Sequence, residues 1–300
     1  MSAPLITVVG PTASGKSELA VRLCQVLDGE VISADSVQIY RRFDIGSANP
    51  SARERGLVAH HLIDELDPLD AADAARFVRL ADAKIEDVRA RGKRPIVCGG
   101  TFLWVRALIY GLAPAPPADD AVRARHRAEA ESFGREHLHE RLREVDPASY
   151  ERLAPNDLVR VSRALEVYEL TGKTLSELQV RHGFQTPRHD VRLVGIKHER
   201  ALLDQRIEQR ALSMLEQGWL DEVRGLLRDG YSEARALRSV GYRQVAEALA
   251  TDTPIDMSAL VVRVVRATRI FVRRQLTWLR DEHVSWLTSA DLGAFTASVA

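Results

Sequence analysis

The stretch LITVVGPTASGKS (Leu5–Ser17) joins a continuous apolar run to a glycine-rich turn of the pattern GxxxxGK[ST]. A short apolar run closed by glycine predicts a buried parallel strand, and the SELAVRLCQVL that follows has apolar residues at helical spacing. Between strand and helix, Gly10, Pro11, Thr12, Ala13, Ser14, Gly15, Lys16 and Ser17 make a phosphate-binding loop. Its glycines let successive backbone N–H groups face an anion at the positive end of the next helix. Lys16 is placed to reach the terminal phosphate, and the Ser17 hydroxyl to bind Mg²⁺. The motif leaves open which phosphate is held.

Further along, EVISAD (Glu30–Asp35) repeats the strand pattern, Ala71–Arg91 reads as an amphipathic helix, and RPIVCGGT is another apolar strand closed by Gly99 and Gly100. Strand and helix in alternation are the signature of right-handed βαβ units. Beyond the proline-rich APAPPADD (Ala113–Asp120) strand signals vanish, and the chain is mostly helical to about Arg188. VRLVGI (Val191–Ile196) restores a core strand, and long helices follow over Leu202–Gly218 and Leu260–Arg280. The expected fold is therefore α/β. A P-loop NTPase-like core, its parallel sheet flanked by helices, occupies 1–112 and is completed by a mainly helical 191–300. An all-helical insertion fills 113–190.

The 300 residues include 42 Lys/Arg against 42 Asp/Glu, so overall charge advertises no polyanion partner. Only Cys24 and Cys98 occur, both in apolar segments, which fits a reducing cytoplasm better than a disulfide framework. No run is long and apolar enough to cross a bilayer, and the first strand begins too early for a signal segment. Charge is unevenly spread. From Arg238 to Arg280 eight Arg face only Glu247, Asp252 and Asp256. On the helix there, Arg263, Arg266, Arg269, Arg273 and Arg280 form a stripe, which either carboxylates of the protein or the phosphates of a nucleic acid must answer. Arg160 and Arg163 stand one helical turn apart in the insertion. Yet Ala113–Asp190 has 12 Lys/Arg against 14 Asp/Glu, so any RNA contact there rests on a few placed arginines and on shape.

An ATPase or GTPase adds a carboxylate at the end of a second apolar strand to organise Mg²⁺ and water. Here that strand ends in Gly99-Gly100-Thr101, and the acid appears at Asp35, after the strand that follows the loop helix. Ligands of open parallel sheets bind outside the carboxyl ends of the strands. Topology therefore places the loop, Asp35 and Thr101 at one sheet edge and favours a catalytic or Mg²⁺-linked Asp35 over a helix N-cap for SVQIY. The pair His60-His61 points to opposite faces of an extended segment with no further ligands at metal spacing, which suits a structural or substrate-edge role. No GxSxG elbow is present.

Taken together, GPTASGKS, ISADSVQIYRRFDIG (Ile32–Gly46), HHLID (His60–Asp64), VCGGTFLWVRAL (Val97–Leu108), PNDLVRVSRALEVYELTGKTLSEL (Pro155–Leu178), RIEQRALSMLEQGWLDEV (Arg206–Val223), VGYRQ (Val240–Gln244) and RRQLTWLR (Arg273–Arg280) resemble the tRNA dimethylallyltransferase (tRNA isopentenyltransferase) family in its bacterial form, over nearly the whole chain. The resemblance implies transfer of a dimethylallyl group from dimethylallyl diphosphate to N6 of adenine 37 in tRNAs reading codons that begin with U. The loop then holds the prenyl diphosphate, and no hydrolytic water needs positioning. It further implies Asp35 as general base and Thr101 as the group orienting the amine, with Lys16, Arg210 and Mg²⁺ at Ser17 stabilising the departing diphosphate. The anticodon stem-loop would follow Asp35, Ser36, Val37, Gln38, Thr101, Arg123, Val159, Arg160, Val161, Ser162, Arg163, Arg238, Gly241, Tyr242 and Arg243.

Departures from the family pattern are Ser47 and Asn49 in DIGSANP, where DIGTAKP is common, and Trp104 where tyrosine is common. Nor is the zinc-finger extension of some eukaryotic members expected here. A monomer is the default, since no feature reports on assembly. The rival readings are an ATP-binding P-loop kinase of a nucleotide or small metabolite, and a non-catalytic RNA-binding protein with a vestigial loop. Intact Lys16 and Ser17 speak against the latter.

Overall fold

The computed structural model describes residues 3–184, 186–251, 253–288 and 291–299; Asp252, one of the acids set against the C-terminal arginines, lies outside them. In chain order the first part comprises β1 (Leu5–Val9), α1 (Lys16–Leu27), β2 (Gly29–Ser33), α2 (Ala52–Leu57), β3 (His60–His61), α3 (Ala74–Ala90), β4 (Arg94–Gly99) and α4 (Phe102–Tyr110). The helices α5 (Asp120–Phe133), α6 (Arg135–Val145), α7 (Pro147–Arg152), α8 (Leu158–Thr171) and α9 (Leu175–His182) follow. The last part holds β5 (Val191–Ile196), α10 (Arg200–Glu216), α11 (Trp219–Arg228), α12 (Tyr242–Leu249), α13 (Met257–Arg280), β6 (Val284–Leu287) and α14 (Leu292–Val299).

All six strands lie in one parallel sheet of order β3-β2-β4-β1-β5-β6. Every residue of β1 and β2 is buried, as strands covered on both faces require. Leu19, Ala20, Leu23 and Cys24 recur at three- and four-residue spacing on α1 and seal one sheet face together with Ile6, Val8, Val31 and Ile96. Phe77, Ala81, Ile85 and Val88 form the buried stripe of α3, whose N-terminus is capped by Asp73 through the Arg76 N–H at 2.7 Å. Two strands were not expected from sequence: β3 has only two residues, and β6 is largely exposed, so neither carries an apolar run long enough to register.

The register decides what meets at the upper edge. Val9 pairs with Gly99 and Ser33 with Cys98, so the loop after β1, the turn after β2 and the double glycine after β4 emerge side by side. The chain divides into two compact units, Met1–Ile109 with Arg188–Ala300, and Tyr110–Pro187. The insertion thus spans 110–187 where sequence placed it at 113–190. Arg188 belongs to the core because its N–H donates to the Ile109 carbonyl at 2.6 Å and its guanidinium to Asp82 at 2.7 Å.

Within the helical unit, Leu138, Leu142, Val161, Ala164 and Leu165 form a separate core. One of its buried carboxylates is Glu166, 0% exposed, which accepts from Arg123 at 2.9 Å, from Arg163, and from the Asp119 N–H at 2.7 Å.

Candidate active site

The phosphate loop takes the conformation its sequence encodes. Gly15, at φ 83°, ends the loop and caps α1, which begins at Lys16. Ala13 sits at φ 63°, a left-handed geometry that costs an L-residue about 1 kcal/mol. Two side chains from the C-terminal part hold it there: Arg206 Nε donates to the Ala13 carbonyl at 2.8 Å, and His198 Nε2 lies 2.8 Å from the Ser14 carbonyl. The Ser14 hydroxyl is buried without a hydrogen-bond partner among the described residues, whereas Ser17 is exposed.

Asp35 caps a turn and not a helix. Its Oδ1 accepts from the Val37 N–H at 2.9 Å and the Gln38 N–H at 3.3 Å, and Oδ2 takes no hydrogen bond from the described residues. The carboxylate is thereby fixed with one oxygen left to act. Thr101 Oγ1 accepts from the Ser36 N–H at 3.0 Å and donates to Ser36 Oγ at 3.2 Å, which fastens the turn after β2 to the turn after β4. One lone pair of that hydroxyl remains for an incoming N–H.

A cavity of about 370 Å³ opens over this edge. Thr12, Ala13, Lys16, Ser17, Asp35, Ser36, Val37, Gln38 and Thr101 line it from the sheet side. Arg210 enters from α10, and Ile207, Ala211, Met214, Val264 and Phe271 give an apolar wall. A more open cavity of about 470 Å³ shares Ala13, Lys16, Ser17 and Arg210 with the first and adds Arg206, Gln209 and Ser213.

Burial pulls the Lys16 ammonium below its ordinary pKa; Cys98 opposes this, Arg210 reinforces it, and Asp35 opposes it more weakly. Burial likewise lowers Arg210, against the pull of Asp35. Neither cation has a carboxylate within ion-pair distance among the described residues, although each is partly desolvated. Two such cations at a helix N-terminus make an anion receptor. Cys98, on the cavity wall, is pushed up to about 11 by burial and stays a thiol.

The remaining wall is aromatic. Tyr242 and Trp219 meet edge to face at 5.5 Å, and Phe43 stands 4.9 Å behind Tyr242. Tyr242 OH donates to Glu222 Oε1 at 2.6 Å; burial and that carboxylate raise its pKa far above the ordinary 10, so it remains a phenol. Glu222 also accepts from the Asp44, Ile45 and Gly46 N–H groups at 2.9, 2.6 and 3.3 Å, pinning that turn against the rings. Trp219 Nε1 is buried with no acceptor among the described residues.

Ser36, Val37, Gln38, Arg238, Gly241 and Tyr242 line the cavity, but Arg243 lies outside its lining and faces Glu247 at 3.8 Å. Gln38 is committed to the fold, accepting from Ser33 Oγ and donating to the Ala48 carbonyl. In the helical unit Val159 and Arg160 are exposed in the first turn of α8, Val161 is buried, and Ser162 Oγ bonds His126 at 2.9 Å. Arg123 and Arg163 both grip Glu166. The arginine stripe divides. Arg263 pairs with Glu247 and Arg269 with Asp204, whereas Arg266, Arg273 and Arg280 have no ion pair among the described residues. Trp104 stacks on Phe77 at 4.6 Å away from the cavity lining, and Asn49 bridges the carboxylates of Asp44 and Asp64. Arg206, Glu222, Trp219 and Gln275 are site-forming residues to which sequence assigned no part. Their only signal was membership in the matching segments, because each meets a turn of the N-terminal part from over 150 positions away.

No three His, Cys, Asp or Glu among the described residues cluster as a metal cage. Mg²⁺ bound through phosphate keeps most of its waters and needs one or two protein oxygens, and the exposed Ser17 hydroxyl beside Lys16 supplies one. The donor set therefore fits. No helix of the described residues is long and apolar enough to cross a membrane.

A sequence model of the IPP transferase family matches residues 38–282, and one described as isopentenyl transferase matches residues 3–71. The tRNA dimethylallyltransferase of Sorangium cellulosum is 60% identical over 94% of this chain and 90% of its own length. That of Geobacter sulfurreducens is 47% identical over 94% and 91%. The crystal structure of the full-length tRNA isopentenylpyrophosphate transferase from Bacillus halodurans superposes with a TM-score of 0.72 at 32% identity, covering 99% of this chain and 96% of the other. A eukaryotic dimethylallyltransferase acting on tRNA gives 0.79 at 27% identity, covering 99% and 77%.

Proposed function

The chain belongs to the IPP transferase family, and from that membership and the cavity we infer the transfer of a dimethylallyl group from dimethylallyl diphosphate to N6 of adenine 37 in tRNA. The observation that carries the reading is the single cavity in which Lys16, Ser17 and Arg210 face Asp35 and Thr101 across an apolar wall. A prenyl diphosphate has an anionic end and a branched C5 end, and these surfaces match the two. The more open cavity, lined by Lys16 and Arg210 but by neither Asp35 nor Thr101, would give the donor a way in that leaves the Asp35 side to the base.

An adenine amine is a weak nucleophile because its lone pair is delocalised into the ring. Thr101 accepts one N6–H and turns the lone pair toward the allylic carbon. As the new C–N bond forms, the bond from that carbon to the diphosphate oxygen breaks, and Asp35 Oδ2 takes the other N6 proton. Lys16 and Arg210 hold the negative charge that grows on the leaving group. Ser17, with the diphosphate oxygens, would hold Mg²⁺, which supplies further charge neutralisation when bound. The adenine must leave its stack to reach Asp35, which costs a few kcal/mol and less in an already single-stranded loop. Ser36, Val37, Arg238, Gly241 and Tyr242 border the path it takes. In the helical unit Val159 and Arg160, exposed in the first turn of α8, suit contact with the anticodon stem, and Arg123 and Arg163, paired with Glu166, would shape that surface.

A P-loop kinase is disfavoured, because β4 runs into Gly99-Gly100-Thr101 without a carboxylate, and Ile207, Ala211, Met214, Val264 and Phe271 give the cavity an apolar part that a phosphoryl acceptor does not need. Incubation with Mg²⁺, labelled dimethylallyl diphosphate and unmodified tRNA reading U-initial codons tests the proposal. Label in the tRNA supports it; phosphate transfer from ATP with unlabelled tRNA refutes it.

A further inference from the structure

Gln275 sits on the buried stripe of α13 between Val272 and Leu279 and is 4% exposed. A carboxamide is tolerated there only if donor and acceptor are both answered. Both are: Oε1 accepts from the Thr12 N–H at 2.9 Å, and Nε2 donates to the Gly100 carbonyl at 2.9 Å. The amide has a single workable orientation, since a backbone N–H can only donate and a carbonyl only accept. A Cβ on Gly100 would fall 2.6 Å from Nε2, so the glycine makes room for this side chain. Thr12 belongs to the phosphate loop, and the Gly100 carbonyl is bonded directly to the Thr101 nitrogen. Among the described residues no other side chain hydrogen-bonds to both segments.

We infer that Gln275 is a positioning residue for prenyl transfer, its carboxamide setting the spacing between the phosphate loop and Thr101. The inference rests on the proposed function. The donor's leaving group is held on the loop after β1, and the nucleophile is oriented by the turn after β4. Displacement needs the reacting atoms about 3–3.5 Å apart and in line, so an error in the separation of the two turns passes straight into the rate. Gln275 spans that separation with two hydrogen bonds and a rigid amide plane, from a helix whose Val272 and Leu279, about one turn to either side, are buried in the core. It touches no reacting atom and acts through Thr101 and the loop.

The test compares single-turnover transfer and the KM for tRNA in wild type, Gln275→Met, Gln275→Glu, Thr101→Ala and the corresponding double variants. Gln275→Met keeps the shape and removes both hydrogen bonds. Gln275→Glu keeps the acceptor for Thr12 and turns an oxygen onto the Gly100 carbonyl, and it carries the test if the Met variant does not fold. The rate is expected to fall about 10- to 100-fold in either variant, with the KM for tRNA within about twofold. In the Thr101→Ala background the further loss is expected to be under about threefold, since the group being positioned is gone. An unchanged rate, a rise in KM accounting for the whole loss, or a fully multiplicative double variant would overturn the inference. If the wild type places no label in tRNA, the proposed function fails, and the inference falls with it.

Discussion

Replacing Gly46 with alanine adds one methyl group at the tightest point of the cavity wall. The new Cβ would lie 2.0 Å from Trp219 Nε1, 2.4 Å from its Cε2 and 2.6 Å from Tyr242 Cζ. Non-bonded heavy atoms rest at about 3.5–4.0 Å, so something must retreat by roughly 1.5 Å. The rings cannot. Trp219 is 2% exposed and Tyr242 1%, and Phe43, wholly buried, stands behind Tyr242. The backbone of Asp44–Gly46 must move, and Glu222 holds it by three N–H groups. Overpacking of this kind costs about 1–3 kcal/mol, and each hydrogen bond lost to a charged acceptor about 1.5–3 kcal/mol. A net loss of roughly 2–4 kcal/mol is expected, after partial relaxation, because the contributions do not add fully. Ser47 and Ala48, the next two residues, line the cavity and shift with the turn. A displacement near 1 Å costs on the order of 10²-fold in kcat/KM. Calorimetric unfolding and prenyl transfer to tRNA read the two effects. Gly225→Ala is the control, because an added Cβ on that helical glycine meets nothing within 4 Å. That change is expected to stabilise by about 0.5–1 kcal/mol and leave transfer unaltered. A Gly46→Ala enzyme with wild-type melting and kinetics, or a Gly225→Ala enzyme with the same losses, would refute the steric argument.

Asp35→Asn preserves the cap on Val37 and Gln38 but removes the proton acceptor, so kcat is expected to fall about 10²- to 10⁴-fold with tRNA binding nearly unchanged; equal losses in filter binding and turnover would make Asp35 structural. Removal of Mg²⁺ by chelation is expected to abolish transfer, with Ser17→Ala shifting the Mg²⁺ titration to higher concentration, and a titration identical to wild type would exclude Ser17 as a ligand. Glu30 is held at about 2, chiefly by its hydrogen bonds to Arg91, against an ordinary 4.5. Its folded pKa is the lower one, so this stabilisation is complete above about pH 4.5 and is lost as pH falls toward 2. At about 1.4 kcal/mol per pH unit the span is about 3 kcal/mol at most, reduced to about 1–2 kcal/mol because Arg91 and Lys93 are partly exposed to solvent. Urea midpoints measured from pH 6 to pH 2.5 should show that loss, and Glu30→Gln should remove it. A Glu30→Gln protein with the wild-type pH dependence would contradict the assignment.

What the sequence made legible is what depends on near neighbours. The phosphate loop, the buried strands β1, β2 and β4, the partly buried β5, and the placing of Asp35 and Thr101 at one edge all follow from runs of a few residues plus the rules of parallel sheets. The arginine stripe shows where that kind of reading stops. Spacing put Arg263, Arg266, Arg269, Arg273 and Arg280 on one face, but whether an arginine is answered depends on Glu247 from α12 and Asp204 from α10, which spacing cannot see. The same holds for Trp104, whose indole is spent on Phe77, and for Asn49, which stands between two carboxylates of its own loop.

Within the cavity the long-range residues do a different job from the local ones. Lys16, Ser17, Asp35 and Thr101 supply reactive groups from the upper edge of the sheet, where any parallel α/β protein presents its ligands. Arg206, Glu222 and Gln275 supply none of the chemistry; Arg206 and Gln275 hydrogen-bond main-chain groups of the turns that carry it, and Glu222 those of the Asp44–Gly46 turn beside the cavity's aromatic wall. Main-chain contacts leave little trace in residue type: a glutamine on a buried stripe or a glutamate on a helix face reads as ordinary composition until its partner is known. A loop such as the one from Gly10 to Ser17, with an alanine at positive φ, persists only where its surroundings over-determine it. Those surroundings are the C-terminal helices α10 and α13 and His198, just before α10. The helices that wall the cavity thus also hold its phosphate loop in shape, so a lesion in α13 far along the chain is expected to act first on the geometry of transfer and only second on affinity for tRNA.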